Sequence, residues 1–376
     1  MTDRPIYLDY MATTPVDERV IECMLPYLGV GGDFGNPASK THIYGEAAAR
    51  AVEVAREQIA TVVGTSPETL AFTSGATESD NLAILGAAHF YQRKGQHLIT
   101  MTTEHKAVLD SFKHLENNGF EVTYLNPKSD GLLDLNALEA AIRPDTILVS
   151  VMQVNNEIGV IQDIESIGEY LKGRGIIFHV DAAQSVGRLK LNLDNLPVDL
   201  MSFSAHKVYG PKGIGVLYVR QKPRIRITPQ SFGGGHEEGL RAGTLPTHQI
   251  VGMGAAFELG ESLREEEQAR ILKLRTCFLE SIQNLSHISL NGSLDERIAG
   301  NLNLCFQGIE NSELLIRFHE LALSTTSACS SSRDAGSYVL RALGLSDADV
   351  QSSLRFSIGR FTTEAEIERA IALVKD

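Results

Sequence analysis

Strand-like apolar runs alternate with amphipathic segments through the first two-thirds of this chain. Apolar side chains recur at helical spacing in the amphipathic segments, and each segment is followed by another apolar run. Alternation of this kind predicts βαβ units, in which a largely parallel sheet carries helices on both faces. The expected strands are Thr69–Thr73, His97–Thr102, Glu121–Leu125, Thr146–Val154, Gly175–Val180, Asp199–Ser204 and Gly215–Val219.

Helical segments separate most of these strands, and a smaller unit follows them. The expected helices are Tyr44–Gly64, Glu78–Lys94, Ala107–Asn117, Leu135–Ile142 and Ile164–Lys172. A long helical region from Ile250 to Leu285 leads into the strands and helices of a C-terminal α+β unit. The length of 376 residues also favours more than one unit. We expect a large domain at residues 16–258 and a small domain formed by residues 1–15 and 259–376.

Composition argues against several classes of protein. The net charge of −13 disfavours a nucleic-acid surface, which needs clustered Lys and Arg. No apolar run approaches the ~20 residues that span a bilayer, and no signal-peptide core is evident. The cysteines at positions 23, 277, 305 and 329 form no CxxC pair, so neither a disulfide framework nor a zinc site is expected. A cytoplasmic protein that binds neither nucleic acid nor membrane is predicted.

Polar residues follow five of the predicted strands at the point where each strand ends. An open α/β sheet binds its ligands at the carboxyl ends of its strands, so we expect these polar groups to converge on one site. The segments concerned are Ser74-Gly-Ala-Thr-Glu-Ser, Thr103-Glu-His105, Asn155-Asn156-Glu-Ile-Gly, Asp181-Ala-Ala-Gln184 and Ser204-Ala-His-Lys207.

The chemistry of these segments fits a pyridoxal cofactor. A lysine that forms a Schiff base needs a desolvated position, as Lys207 has after a buried strand, and Ser204 and His206 beside it can donate to a phosphate. Asp181 can pair with a protonated ring nitrogen, and the N–H groups after Ser74 favour a phosphate. Plainer alternatives remain open at this point: Lys207 on a surface turn, and Asp181 as a helix cap.

Three further residues are candidates for catalysis or substrate binding. His105 could stack on a cofactor ring and move protons near neutral pH. Cys329 lies in a small, polar segment where a reactive thiol is expected, whereas Cys305 lies in an apolar run. Arg355 could bind a substrate carboxylate through two hydrogen bonds. The alternatives are a structural histidine, an idle surface cysteine and a structural ion pair.

Together these motifs resemble the class V aminotransferase-like fold and, within it, the NifS/IscS group of cysteine desulfurases, closest to the IscS type. The similarity extends from Tyr7-Leu-Asp-Tyr through Gly35-Asn-Pro-Ala-Ser39 and Ser327-Ala-Cys to Arg360-Phe-Thr-Thr-Glu. The resemblance implies a fold type I transferase that binds pyridoxal 5'-phosphate and converts L-cysteine to L-alanine. The sulfur would pass, as a persulfide on Cys329, to acceptor proteins for iron–sulfur cluster assembly and other sulfur-containing products.

The resemblance also implies a role for each matching residue. Lys207 would carry the cofactor, and Cys329 and His105 would complete the catalytic set. The cofactor-binding residues would be Ala76, Thr77, Asn156, Asp181, Gln184, Ser204, His206, Lys207 and, from the other subunit of a homodimer, Thr244. The substrate-binding residues would be Asn36, Asn156 and Arg355. No resident metal is expected, and the resemblance leaves room for a transferred iron–sulfur cluster near Cys329.

The sequence departs from the family pattern around the cysteine and at its end. Thr325-Thr326 replace the usual small residues, and their β-branching is expected to stiffen the segment. Arg333-Asp-Ala-Gly follows where Leu-Glu-Pro is usual. IscS-type members often carry a C-terminal extension that docks a scaffold protein, whereas this sequence stops at Asp376, so scaffold docking stays open. The rivals are an aminotransferase or selenocysteine lyase on the same fold, and a sulfur carrier or iron–sulfur scaffold with Cys329 as a ligand.

Overall fold

Helices and strands alternate along the chain in a computed structural model that describes residues 4–325 and 336–375. The strands are β1 (Ile6–Tyr7), β2 (Leu70–Thr73), β3 (His97–Met101), β4 (Glu121–Leu125), β5 (Thr146–Ser150), β6 (Ile177–Asp181), β7 (Leu200–Ser204), β8 (Gly215–Val219), β9 (Ile288–Leu290), β10 (Asn301–Phe306), β11 (Leu321–Ala322) and β12 (Ser353–Ser357). The helices are α1 (Glu18–Met24), α2 (Ile43–Val63), α3 (Ala76–Tyr91), α4 (Lys106–Asn117), α5 (Leu135–Ala141), α6 (Ile164–Leu171), α7 (Thr247–Ile282), α8 (Asn311–Arg317), α9 (Tyr338–Ala342), α10 (Asp347–Gln351) and α11 (Glu364–Lys375).

Seven of the strands form one sheet in the order β2-β8-β7-β6-β5-β3-β4. The pairs β3–β4, β3–β5, β5–β6 and β6–β7 are parallel. Strand β8 runs antiparallel to both of its neighbours, β2 and β7. The predicted α/β fold with a mostly parallel sheet is therefore confirmed, with one reversed strand. The carboxyl ends of β2, β3, β5, β6 and β7 lie along the same edge of the sheet.

Both faces of this sheet are covered by helices, so its strands are apolar on both sides. On β6, Phe178 and Val180 belong to the core formed with α2, α6 and α7, whereas Ile177 belongs to the core formed with α3 and α4. Side chains two residues apart on a strand share a face. His179 and Asp181 therefore point to the same side as Ile177, toward α3. This position brings two titratable groups between the sheet and a helix.

A second apolar core surrounds the three-stranded antiparallel sheet β12–β10–β9. It combines side chains from the second half of α7, such as Phe278, with Phe356 of β12 and Ile371 of α11. Strand β1 pairs in parallel with β11, which brings the N-terminal segment beside this C-terminal unit. The division into residues 16–258 and residues 1–15 with 259–376 stays a prediction.

Candidate active site

A cavity of about 550 Å³ lies at the edge where the parallel strands end. All five of the polar segments predicted from the sequence contribute to its lining, together with residues 11–13 and Arg355 of β12. The contributions of the five segments include Thr77, His105, Asn156, Asp181, Ser204 and Lys207. The convergence expected from the sequence is therefore present, and it follows from the parallel direction of the strands.

Lys207 lies one short turn beyond β7, with its amine in the wall of the cavity. Its Nζ donates hydrogen bonds to the carbonyl oxygens of Met11 and Ala12, each at 2.7 Å. The segment that offers these carbonyls is held in place because Thr14 N donates to His206 O at 3.0 Å and Tyr209 N donates to Thr14 Oγ1 at 2.9 Å. The lysine is thus oriented by main-chain oxygens.

Asp181 ends β6 and is buried, with 4% of its surface exposed. Its Oδ1 accepts a hydrogen bond from Ala183 N at 2.9 Å. Burial raises the pKa of Asp181, while the charges of His105 and Lys207 and the hydrogen bond from Ala183 lower it. A buried carboxylate is stabilised when a positive partner approaches it, so Asp181 suits a protonated heterocyclic nitrogen.

The N-terminus of α3 forms one end of the cavity. Gly75 precedes the helix at a φ of 150°, a conformation that favours glycine, and it lets β2 turn directly into α3. Gly215 on β8 allows a close approach here, because a Cβ at that position would lie 2.6 Å from Gly75 Cα. The first N–H groups of a helix lack partners within the helix and favour anions. Ala76 and Thr77 therefore offer a phosphate site.

His206 lines the cavity beside this helix end, with its Nδ1 3.1 Å from Thr13 Oγ1. Burial, with the nearby charges of Lys207 and Lys212, lowers the pKa of His206 to about 4. The ring is therefore neutral at pH 7, so it can donate a hydrogen bond to an anion but does not offer a positive charge. Ser204 contributes a hydroxyl to the same lining.

Gln184 and His105 both line the cavity, and each is held by hydrogen bonds. Gln184 Nε2 donates to Met11 O at 2.9 Å, and its Oε1 accepts from Arg188 at 2.8 Å. His105 caps α4, since its Nδ1 accepts from Ala107 N at 3.1 Å. That contact requires an unprotonated Nδ1, so in the neutral ring the proton resides on Nε2.

Arg355 reaches the cavity from β12 and is engaged on two sides. Its Nη2 forms an ion pair with Asp9 Oδ1 at 2.7 Å, and its Nη1 donates to Asn156 O at 2.8 Å. Its Nε is buried and has no hydrogen-bond partner among the described residues. Arg355 therefore belongs to a structural ion pair, the alternative noted above, and still has donor capacity for a carboxylate.

Two of the predicted residues do not line the cavity, and a third lies outside the part of the chain that the structure describes. Asn36 is exposed in the segment before α2, where its Oδ1 accepts from Ala38 N at 2.9 Å, and it is absent from the lining. Thr244 is exposed just before α7 and is also absent from the lining. Cys329 lies outside the described residues. The roles assigned to these three residues stay predictions.

Sequence reasoning missed an acidic residue in the lining, Glu157. Burial raises its pKa to about 7, and the hydroxyl of Ser337 donates to its carboxylate. The next residue, Tyr338, also lines the cavity and donates its hydroxyl hydrogen to Glu104 O at 2.7 Å. Glu157 stands in the motif that was quoted for Asn156, so its position next to that asparagine was the available signal.

The residues around the cavity fit pyridoxal phosphate. The N–H groups at Ala76 and Thr77 with Ser204 and His206 supply donors for a phosphate, and Asp181 supplies a carboxylate for the ring nitrogen. Lys207 supplies the amine.

Across residues 4–325 and 336–375, no helix has the length and hydrophobicity to span a membrane. In those same ranges, no group of three or more His, Cys, Asp or Glu side chains is arranged to hold a metal.

Comparison with known proteins assigns the chain to a family. It matches the family Aminotransferase class-V over residues 6–370. It is 59% identical to the cysteine desulfurase IscS of Salmonella arizonae over 371 residues, which cover 99% of this chain and 92% of that protein. It is 58% identical, with the same coverage, to the cysteine desulfurase IscS of Vibrio cholerae serotype O1.

Solved structures of similar proteins have the same fold. A NifS-like protein superimposes with a TM-score of 0.91 at 35% identity, covering 99% of this chain and 98% of its own. A structure described as SspA in complex with cysteine superimposes with a TM-score of 0.83 at 41% identity, covering 95% and 100%. The chain therefore belongs to the Aminotransferase class-V family of pyridoxal-phosphate-dependent enzymes and, within it, to the cysteine desulfurases.

Proposed function

We propose that this protein converts L-cysteine to L-alanine and retains the sulfur as a persulfide on Cys329. The observation that carries the proposal is the meeting of Lys207, Asp181 and the N-terminus of α3 around one cavity. An amine, a buried carboxylate and a phosphate site are the three groups that a pyridoxal enzyme needs. The relatives named cysteine desulfurase support the choice of substrate.

Each part of the cavity would hold a different part of the cofactor. Ala76, Thr77, Ser204 and His206 would bind the phosphate, and Asp181 the ring nitrogen. Gln184 would donate to the ring oxygen, with Asn156 close to both cofactor and substrate. His105 would lie over the ring. When bound, pyridoxal phosphate supplies an electron sink for the charge left when the substrate loses its α-proton.

Lys207 would remove that α-proton once the substrate has displaced its amine. The carbonyls of Met11 and Ala12 accept hydrogen bonds from Nζ at 2.7 Å. Carbonyl oxygens stabilise an ammonium more than a neutral amine, because they only accept hydrogen bonds. These two oxygens would therefore favour proton uptake by Lys207 and hold the resulting ammonium in place.

Arg355 would bind the substrate carboxylate, with Asn36 as a second donor. The guanidinium already neutralises Asp9, so the substrate carboxylate would share it with that residue. Arg355 and Lys207 line the same cavity, so a substrate held by its carboxylate would lie in the cavity that contains the lysine.

Cys329 would take the sulfur after the α-proton has been removed. Its thiolate attacks the substrate sulfur, and a new S–S bond forms as the Cβ–S bond breaks. The electron pair of the broken bond passes to Cβ, which then takes up a proton. One cysteine and one thiol thus give one alanine and one persulfide, and no external oxidant or reductant is consumed.

The function is tested by product analysis of the purified protein. With L-cysteine we expect alanine and enzyme-bound persulfide in equal amounts in the first turnover, and continued release of sulfide when a thiol reductant is present. An aminotransferase would instead give a keto acid, and a sulfur carrier or scaffold would give no alanine. A selenocysteine lyase would act on selenocysteine while leaving cysteine unchanged.

Homodimer formation is supported by an exposed apolar surface between α1 and α2. Val30 is 98% exposed and Ile43 is 75% exposed, and the rings of Phe34 and Tyr44 lie 5.4 Å apart beside them. Four large apolar side chains exposed along one stretch of the chain favour a protein–protein contact, and two-fold dimers are the commonest oligomers. A second copy of the chain is the proposed occupant.

We further propose that Thr244 binds the phosphate in the partner subunit, which a hybrid dimer would test. Lys207→Ala should be inactive, and Thr244→Asp nearly inactive because its carboxylate repels the phosphate. In a hybrid dimer, one subunit carries Lys207→Ala and the other carries Thr244→Asp. If Thr244 serves the partner's site, both substitutions lie in the same active site and the second active site has neither. The hybrid should recover about half of the normal activity per dimer, by counting two independent sites. A hybrid as inactive as its parents would place Thr244 in its own chain's site.

The persulfide on Cys329 would pass its sulfur to an acceptor protein in the same compartment. A persulfide transfers its outer sulfur to a thiolate, so the acceptor would present a cysteine. Iron–sulfur scaffold proteins are the proposed class of acceptor. A cytoplasmic location is proposed because a reducing compartment keeps such thiols available.

A further inference from the structure

Asp80 on α3 is a buried acid with no role in the proposed reaction. It is 0% exposed, and neither of its carboxyl oxygens has a hydrogen-bond partner among the described residues. His179 on β6 lies beside it, with its Nε2 3.6 Å from Asp80 Oδ1. An ionised carboxylate in this position would require a compensating positive charge.

His179 does not supply that charge. Its Nδ1 lies 2.8 Å from Ser150 Oγ on β5, and its Nε2 lies 3.0 Å from Ser202 Oγ on β7. All three side chains are fully buried, and burial lowers the pKa of His179 to about 3. The imidazole is therefore neutral and is held between two hydroxyl groups across three adjacent strands.

Two other acids share this buried region. Asp181 points to the same side of β6 as His179, and Glu104 is 0% exposed with its Oε2 unpartnered among the described residues. Burial and the charge of Asp181 raise the pKa of Asp80, against a smaller lowering by the Ser202 hydroxyl, and burial raises the pKa of Glu104. The charge of Lys207 and the hydrogen bond from Ala183 N favour an ionised carboxylate at Asp181.

We propose that Asp80 is an uncharged carboxylic acid that packs against His179 under β6 and leaves Asp181 the ionised member of the three acids. The inference rests on the proposed pairing of Asp181 with the cofactor ring nitrogen. One protonated nitrogen can neutralise one carboxylate, and a second negative charge at Asp80 would compete for it. An uncharged Asp80 fills the space under β6, and the negative charge then resides on Asp181. Asp80 is therefore a positioning residue.

The protonation state of Asp80 can be measured without reference to activity. Infrared spectroscopy of the purified full-length protein at pH 7 should show an absorption from protonated carboxyl groups. Asp80→Asn should remove part of that absorption, because the amide has no carboxyl group. If the substitution leaves the absorption unchanged, Asp80 is ionised and the proposal is wrong.

The positioning role is tested by the affinity of the cofactor-free protein for pyridoxal phosphate. Asp80→Ala leaves a gap beneath β6 and should weaken binding about tenfold, a loss typical for groups that orient a ligand-binding side chain. Asp80→Asn keeps the volume and the absence of charge, so it should bind within about twofold of the native protein on the same grounds. Leu82→Ala is the matched control, because it truncates a buried side chain of the same helix.

Each outcome of this comparison is decisive. If Leu82→Ala and Asp80→Ala lose equal affinity for pyridoxal phosphate, Asp80 contributes only to the general packing of α3 and the proposal is wrong. The proposal is also wrong if Asp80→Asn loses affinity tenfold, because that loss would show that a negative charge is needed. Asp181→Asn separates this inference from the proposed function. If it leaves affinity and cofactor absorption unaltered, the ring nitrogen does not pair with Asp181. If Asp80→Ala fails to fold, Asp80→Asn and the infrared measurement still decide.

Discussion

Lys207→Ala is expected to abolish turnover of L-cysteine, with a loss of about a thousandfold or more, as is usual for removal of a group that forms covalent intermediates. The side chain would have two duties, covalent attachment of the cofactor and removal of the α-proton. Its amine lies in the cavity wall with two carbonyl oxygens as acceptors, and no other lysine follows β7 as directly. Loss of the amine should therefore stop both steps.

Borohydride reduction followed by peptide mapping measures the attachment itself. The pyridoxyl group should be found on Lys207 in the native protein and should be absent from the Lys207→Ala variant. Lys212 is the matched control, because it lines the same cavity and follows in the same segment. Lys212→Ala should keep the label. A label on Lys212 of the native protein would contradict the assignment.

The sequence predicted the strands of the sheet and the residues of the cavity better than the buried contacts between side chains behind the cavity. Apolar runs predicted the core strands because strands covered by helices on both faces are largely apolar, as the buried run Ile147-Leu148-Val149 of β5 is. Helix bounds were close as well: α2 was expected at Tyr44–Gly64 and extends over Ile43–Val63, since Gly64 adopts the left-handed conformation that ends helices. Convergence of the polar segments then followed from the parallel strand direction.

Other features depend on contacts that sequence spacing does not contain. The reversal of β8 is not visible in its apolar composition, which is the same for a parallel or an antiparallel strand between two neighbours. The 3.6 Å approach of Asp80 to His179 joins residues 99 positions apart, and neither belongs to a recognised motif. Asn36 and Thr244 are exposed in a single chain, so their assignment rests on the resemblance and on the second subunit.

Cys329→Ser is expected to abolish sulfide production, again by about a thousandfold or more, because a serine hydroxyl is not ionised near neutral pH and cannot attack sulfur. Steps that precede sulfur transfer should survive. The variant should keep its cofactor, show the native absorption change when cysteine is added, and exchange the substrate's α-proton with deuterium from solvent, which nuclear magnetic resonance would detect. This separation of early steps from late ones distinguishes a lost nucleophile from a misfolded site.

The other cysteines serve as matched controls for this substitution. Cys305 lies on β10, where burial raises the pKa of its thiol, so it is a poor source of thiolate. Cys23 and Cys277 are exposed on α1 and α7 and do not line the cavity. Serine at any of these three positions should leave sulfide production within about twofold of normal, as surface or inert cysteines allow. If Cys329→Ser produces sulfide normally, or if one of the control variants loses sulfide production, a cysteine other than Cys329 carries the persulfide.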